Sequence, residues 1–395
     1  MDDTLYNYAI IGAGAAGMQL ALAMIEDSFF KEKKILILEK EAKDSNDRTW
    51  CFWEKGNSKW DHLVCKTWSE GQFKTNKEQF TFKLHPYQYK MLRSNDFYRF
   101  AKAKIQAATN IHWVSAEVQN IQSNHLNNIQ TLNNTYQAEH VFDSRIDPDF
   151  FKKEDNYFRV KQPFKGWFIE AESDVFNQHQ FVMMDYQVKW KDTTSFIYVL
   201  PLNKRECLIE FTFFTPELPS EEVYDPILKK YLKDILKIEN YQLKEVEQGV
   251  IPMSNYPFHQ HHTKDITKIG TAGGWVKPSS GYAFKNSEKF AAQIVNNLKS
   301  GRPASQGVAR GRHRTYDTLF LDLLYNKNER GESLFSSMYR KNSIQQIFKF
   351  LDGETTFLED LKIMATFNPF PFLWAIAKQV GLGLGFLNSN KNKNT

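Results

Sequence analysis

The segment Gly12-Ala13-Gly14-Ala15-Ala16-Gly17 constrains this chain most, because it joins an apolar strand-like run at residues 8–11 directly to a helical run at residues 18–26. A second apolar run at residues 35–39 completes a strand–helix–strand unit, which points to an α/β fold on a parallel sheet. In such a unit Gly12 allows the tight turn, Gly14 lets a pyrophosphate approach the backbone, and Gly17 permits close packing of helix on strand. Ala15 opens the helix, whose first N–H groups face the phosphates. Glu39 closes the second strand, where a carboxylate accepts hydrogen bonds from a ribose 2′-hydroxyl and repels a 2′-phosphate. The pattern implies a dinucleotide without separating FAD from NAD.

A helical pattern at residues 95–107 leads into alternating stretches at 111–121 and 136–144, read as auxiliary strands of the same domain. Residues 158–214 change to aromatic and β-branched runs such as Gly166-Trp167-Phe168-Ile169-Glu170 and Phe196-Ile197-Tyr198-Val199-Leu200, the composition of a second sheet. A charged helical stretch at 221–238 follows, and a strand entering a glycine turn at 268–274, with a helix at 281–298, returns the chain to the first domain. Beyond Gly301 the apolar spacing is helical, at Leu319, Phe320, Leu323 and Leu324 and again at Ile344, Ile347, Phe348 and Leu351.

These readings divide the chain into three parts. A discontinuous Rossmann-type dinucleotide-binding domain takes residues 1–60, 95–155 and 250–300. It is interleaved with a mixed β-sheet substrate domain at 61–94 and 156–249. A C-terminal helical region takes 301–395, with a tail expected to fray from Asn388.

Charge excludes little: 51 basic against 46 acidic residues leave a net +5, too small and dispersed to indicate nucleic acid. Three cysteines without CxxC spacing indicate neither a disulfide framework nor a zinc site, and fit a reducing cytoplasm. The start, Met1-Asp2-Asp3, lacks the basic region of a secretion signal. The longest apolar stretch, residues 370–387, is interrupted by Pro371, Lys378 and Gln379, so it is expected to lie in a membrane surface rather than to span one.

Further motifs extend over most of the chain: Asn46-Asp47-Arg48-Thr49-Trp50, Met184-Asp185, Leu208-Ile209-Glu210-Phe211-Thr212, Gly270-Thr271-Ala272-Gly273-Gly274, and Pro278-Ser279-Ser280-Gly281-Tyr282. In this order they resemble the lycopene cyclases, FAD-binding proteins related in fold to the flavin hydroxylases. The resemblance implies FAD along Gly12, Gly14, Ala15, Gly17 and Glu39, with Arg48, Gly273 and Gly281 near the flavin. It also implies reduction of that flavin by NAD(P)H, although the reaction is an isomerisation that closes the linear ψ ends of lycopene into the β-ionone rings of γ- and β-carotene. A water-insoluble substrate implies peripheral contact with the inner face of the cell membrane, on the C-terminal helices. Two rivals stand beside this reading. One is an FAD-dependent monooxygenase or reductase acting on an isoprenoid, which would usually carry Gly-Asp where Gly270-Thr271 stands. The other is a non-catalytic prenyl- or lipid-binding escort.

Glu210 lies among Leu208, Ile209, Phe211, Phe213 and Phe214. Burial there disfavours the charged form, which suits an acid that holds its proton near neutral pH. The residues alone equally allow a solvent-facing carboxylate or an ion pair with Lys204 or Arg205. The resemblance makes Glu210 the proton-transferring glutamate and Asp185 a candidate to orient it. It also shows a departure: the family commonly places a second acid after the glutamate, where this chain has Phe211. Trp167, Phe168 and Tyr198 are candidates for cation-stabilising faces. His259, His261 and His262 lack a matching carboxylate or cysteine framework for a metal. Arg310, Arg312 and Arg314 read as a solvated face or as contacts to lipid phosphates.

Overall fold

The structure is a computed structural model that describes residues 4–152 and 157–367. At the centre of its first sheet Leu5–Ile11 runs parallel to Ile35–Glu39 on one side and to Thr135–Asp143 on the other. Ile111–Ser115 extends the sheet in parallel beyond Ile35–Glu39, and Ile266–Lys268 pairs in parallel with Thr135–Asp143. All five residues of Ile35–Glu39 are buried, as a parallel strand covered on both faces requires. An antiparallel meander of Val118–Ser123 and Asn127–Thr131 joins the Thr135–Asp143 strand. The helix Ala15–Ile25 begins earlier than the apolar pattern indicates and packs against Phe284–Lys299, where Gln19 donates to the Phe284 carbonyl at 3.2 Å. That second helix starts at Phe284 rather than at 281, because Gly281 has φ +76°, a left-handed conformation that no helix continues.

The second sheet has the strand order Tyr241–Ser254, Arg159–Ala171, Glu206–Phe214, Thr194–Pro201, Gln180–Asp185, Glu70–Lys74 and Gln79–Lys83. Strand alternation gives it two apolar faces. One packs Ile169, Ile197, Ile209 and Phe211 under the helical segment at 224–235. That segment, read as one helix over 221–238, is a short α-helix, Tyr224–Lys230, followed by a wider π-type turn, Tyr231–Ile235. The other face carries Phe168, Phe196, Leu208 and Phe214 and meets the C-terminal helices.

A small antiparallel sheet of Thr49–Lys55, Tyr87–Arg93 and Val64–Trp68 bridges the two cores. Trp50 and Phe52 stack on Phe284 of the first core, while Trp53 stacks on Phe348 of the second at 4.3 Å between centroids. The C-terminal helices are His313–Asn326, Gly331–Lys341, Ile344–Leu351 and Phe357–Met364. The last two are closed by capping boxes at Ser343 and Thr356. No helix among the described residues is long and apolar enough to cross a membrane, and the apolar stretch at 370–387 lies outside them.

Candidate active site

The glycine turn, the start of the bridging sheet and the 270–284 loop enclose a cavity of about 380 Å³. Gly14, Ala15, Gly17, Arg48 and Gly281 are on its wall, with Thr49, Cys51, Ser144, Phe164 and Tyr282 beside them. At Gly12 φ is +89°, and a Cβ would lie 2.0 Å from Ser144 Oγ. A Cβ on Gly17 would lie 2.0 Å from the Gly12 carbonyl oxygen, so helix and strand meet only without a side chain there. At Gly14 the same test meets nothing within 4 Å. The helix therefore presents its N-terminus, without an acidic residue in its first turn, to open space. That is the cradle a pyrophosphate needs. Glu39 secures the turn from behind: its two carboxylate oxygens accept from the N–H groups of Ala13 and Glu41.

Gly281 faces the buried Gln162, whose Oε1 has no hydrogen-bond partner and would be 2.1 Å from a Cβ at that position. The orphaned acceptor thus lies directly behind a glycine of the cavity wall. Gly273 has a different place from the one the motif implies. Gly270 and Thr271 form the wall, while Gly273 sits within the turn, where a Cβ would meet the Lys268 carbonyl oxygen at 2.4 Å. Thr271 and Tyr282 belong to the 270–282 segment that the resemblance places near the flavin, whereas Ser144 was not expected there; it follows the end of a strand that reaches the glycine turn only through the sheet order.

Behind Thr49 and Cys51 lies a pair of carboxylates. Gly166 is paired with Glu210 on one side of its strand and with Glu247 on the other. A Cβ on Gly166 would lie 3.4 Å from Glu210 Cβ and 3.3 Å from Glu247 Cγ, so the missing side chain leaves room for both acids on one face. Glu210 is half-buried and Glu247 is 6% exposed. Burial, reinforced by the charge of Glu247 and opposed by a hydrogen bond from Thr212, pushes the Glu210 carboxyl up to about 8. Burial also raises Glu247, against the Thr49 hydroxyl that donates to its Oε2 at 2.6 Å and the nearby cations Arg93 and Arg48.

Aromatic residues close the chamber. Tyr198 is opposite Glu210 in the neighbouring strand, and its hydroxyl is 3.4 Å from that of Tyr282, which is 3.1 Å from that of Tyr89. Arg93 lies over the Phe168 ring at 4.0 Å. Tyr282, Thr49 and Cys51 thus border both the cavity and the surroundings of the carboxylates. The arrangement can hold a proton at an apolar surface beside a dinucleotide.

The lycopene cyclase protein family matches residues 7–376. The chain belongs to the lycopene cyclase family. Membership places it among enzymes acting on carotenoids. No curated protein sequence matches it. Its fold is similar to that of a geranylgeranyl bacteriochlorophyll reductase-like protein from Thermoplasma acidophilum, with a TM-score of 0.60 at 11% identity over 93% of this chain and 97% of that one. A flavin-dependent brominase gives a TM-score of 0.55 at 14% identity over 95% and 99%. A halogenase variant in complex with FAD gives 0.54 at 12% identity over 88% and 79%.

Within this lycopene cyclase family member, several expected site residues are elsewhere. Asp185 is opposite Ile197, on the sheet face away from Tyr198 and Glu210. It is fully buried and accepts from Tyr231 at 2.7 Å and from the Gln187 backbone at 2.9 Å, so it does not orient Glu210. Trp167 shares that far face, leaving Phe168 and Tyr198 on the near one. Phe211 also packs on the far face, and Glu247, from another strand, supplies the second acid that is not adjacent in sequence. The candidate ion pairs of Glu210 with Lys204 or Arg205 do not form: Lys204 pairs with Asp174 and Arg205 with Glu170. His261 does have carboxylate neighbours, with Asp147 at 3.3 Å and Asp149 beside it, and Asp149 is paired with Lys152. Arg312 and Arg314 are not one solvated face: Arg312 binds Asp360 at 2.9 Å and Arg314 donates to the Gly274 carbonyl at 2.8 Å.

Proposed function

We propose that the chain is a lycopene β-cyclase in which Glu210 delivers the proton that starts ring closure. The observation that carries this reading is a carboxyl held up to about 8, on an aromatic-walled face beside a dinucleotide cavity. In this reading Glu210 gives its proton to the terminal double bond of a linear ψ end. The tertiary cation is attacked by the internal double bond, and loss of a ring proton leaves the β-ionone ring with no net change in composition. Tyr198 and Phe168 present ring faces to the developing charge. The glycine turn and the 270–284 loop would hold FAD, with Gly14 at the pyrophosphate and Gly281 and Tyr282 toward the flavin. When bound and reduced, FAD would supply an electron-rich surface that stabilises nearby positive charge, and NAD(P)H is the proposed reductant.

The helix Phe357–Met364 supports a docking site on the inner face of the membrane, since Phe357, Leu358 and Leu361 are 58%, 69% and 48% exposed. Expression in lycopene-accumulating bacteria, with chromatography and mass measurement of the pigments, tests the reaction. A product of unchanged mass with β-ionone ends is expected, and it should be lost in Glu210→Gln while the protein keeps its bound flavin. Gain of oxygen would support the monooxygenase reading and gain of hydrogen the reductase, and either removes the cyclase.

A further inference from the structure

Cyclisation needs an acid at its start and a base at its end. The face that carries Glu210 holds a second carboxylate that could serve as that base. Glu247 reaches it from the far side of Gly166, and the two acids occupy one gap. Their surroundings differ. Glu247 receives the Thr49 hydroxyl at 2.6 Å and has Arg93 and Arg48 nearby, with Glu245 as the opposing charge, itself paired with Arg93. Among the described residues Glu210 receives the Thr212 hydroxyl at 2.6 Å and otherwise faces Tyr198, Cys51 and apolar side chains. A single proton shared by two close carboxylates rests on the one whose anion is less well supported. In this pair that is Glu210, since Glu247 has the Thr49 hydroxyl and two nearby cations to support its anion.

Resting on the cyclase reading above, we propose that Glu247 is a second catalytic residue, the base that takes the ring proton. The steps balance without an added reagent. The Glu210 O–H bond breaks as the inner carbon of the terminal double bond gains its hydrogen, the alkene electron pair forms that C–H bond, and the dimethyl-bearing carbon is left as the tertiary cation. The internal double bond supplies the pair for the ring C–C bond. The ring C–H bond then breaks, its electrons become the ring double bond, and its proton goes to Glu247. Transfer of that proton from Glu247 to Glu210 restores the starting pair. Thr49, on the wall of the dinucleotide cavity, fixes the oxygen of Glu247 that it donates to and leaves the other to receive the proton.

Two measurements on the full chain test this. In the ligand-free protein, infrared titration should show the carbonyl stretch of a protonated carboxyl persisting to about pH 8. Glu247→Gln should move its loss to lower pH by removing a neighbouring negative charge, and Glu210→Gln should remove it. In turnover of lycopene, Glu247→Gln should slow cyclisation by roughly 100-fold or more, the scale of a general base. It should also shift the product toward rings whose double bond lies elsewhere, because the cation then loses another proton. Glu247→Asp should restore part of the rate and the β product. Thr49→Val keeps both acids and should raise the pH at which the base becomes active, so it tests the assignment even if Glu247→Gln does not fold. An unchanged titration and an unchanged ring isomer in Glu247→Gln, or an unmoved pH profile in Thr49→Val, overturns the role of Glu247. Activity surviving in Glu210→Gln overturns the acid instead, so the two failures are distinguishable.

Discussion

Between residues 12 and 39 the chain makes its dinucleotide turn from backbone N–H groups, absent side chains and one carboxylate. The acid pair is held by side chains from distant parts of the chain, the Thr49 hydroxyl that binds Glu247 lying 198 residues before it. The first region is short-range and steric, and the second long-range and electrostatic. They should therefore break differently: the turn by added volume, the pair by altered charge or spacing.

The largest effect is expected at the turn. Gly17→Val places a side chain against the Gly12 carbonyl, a backbone atom that cannot move aside. Loss of bound flavin and of all cyclisation is expected, with a stability loss of roughly 3 kcal/mol read by thermal unfolding. A yellow, active Gly17→Val protein would contradict the steric account. At the pair, Gly166→Val meets the end of the flexible Leu208 side chain at 2.8 Å, so the fold should survive while the two acids are pushed apart. Turnover should fall by roughly 100-fold, the scale of about 1 Å of misplacement, with flavin content unchanged.

Acidity gives a smaller and graded effect. If Glu210 is the acid proposed above, the cyclisation rate should decline as pH rises through about 8, and a flat profile to pH 10 would remove Glu210 from that role. The sign for stability follows. Unfolded, this carboxyl releases its proton near the ordinary value of 4.5; folded, it does so at about 8. Between those values the folded state binds more protons, so its contribution to stability is fully present below about 4.5 and is lost as pH rises toward about 8. Smallest of all is the expected effect of Asp185→Asn on rate, since that carboxylate faces away from the chamber. Its product should be unchanged, while weakening the Tyr231 hydrogen bond lowers stability by about 1–3 kcal/mol.

The same contrast explains what could be read in the sequence. The parallel sheet and its glycine turn were legible because strand, turn and helix are contiguous and each glycine has a local steric reason. Glu210 stood out as one acid in a run of apolar residues. Glu247 did not, because Tyr-Gln-Leu-Lys-Glu-Val-Glu-Gln looks like a solvated edge strand; its place beside Gly166 depends on a register that shifts between Phe168 and Ile169. That Asp185, the candidate to orient Glu210, lies on the opposite face was hidden for a related reason. An irregularity between Val182 and Asp185 breaks the simple alternation from which a face would be inferred. The start of the helix at Phe284 turned on the positive φ of Gly281, which the residue type permits but does not require.

The strand that carries Gly166 is hydrogen-bonded along both edges, to the strand of Glu210 and to that of Glu247. Two strand widths, about 10 Å between backbones, therefore act as a calliper whose jaws are two glutamate side chains. Lengthening or shortening surface loops leaves such an opening untouched, whereas trimming one methylene from either jaw widens it directly. Redesign toward differently shaped rings should begin with side-chain length at these two positions.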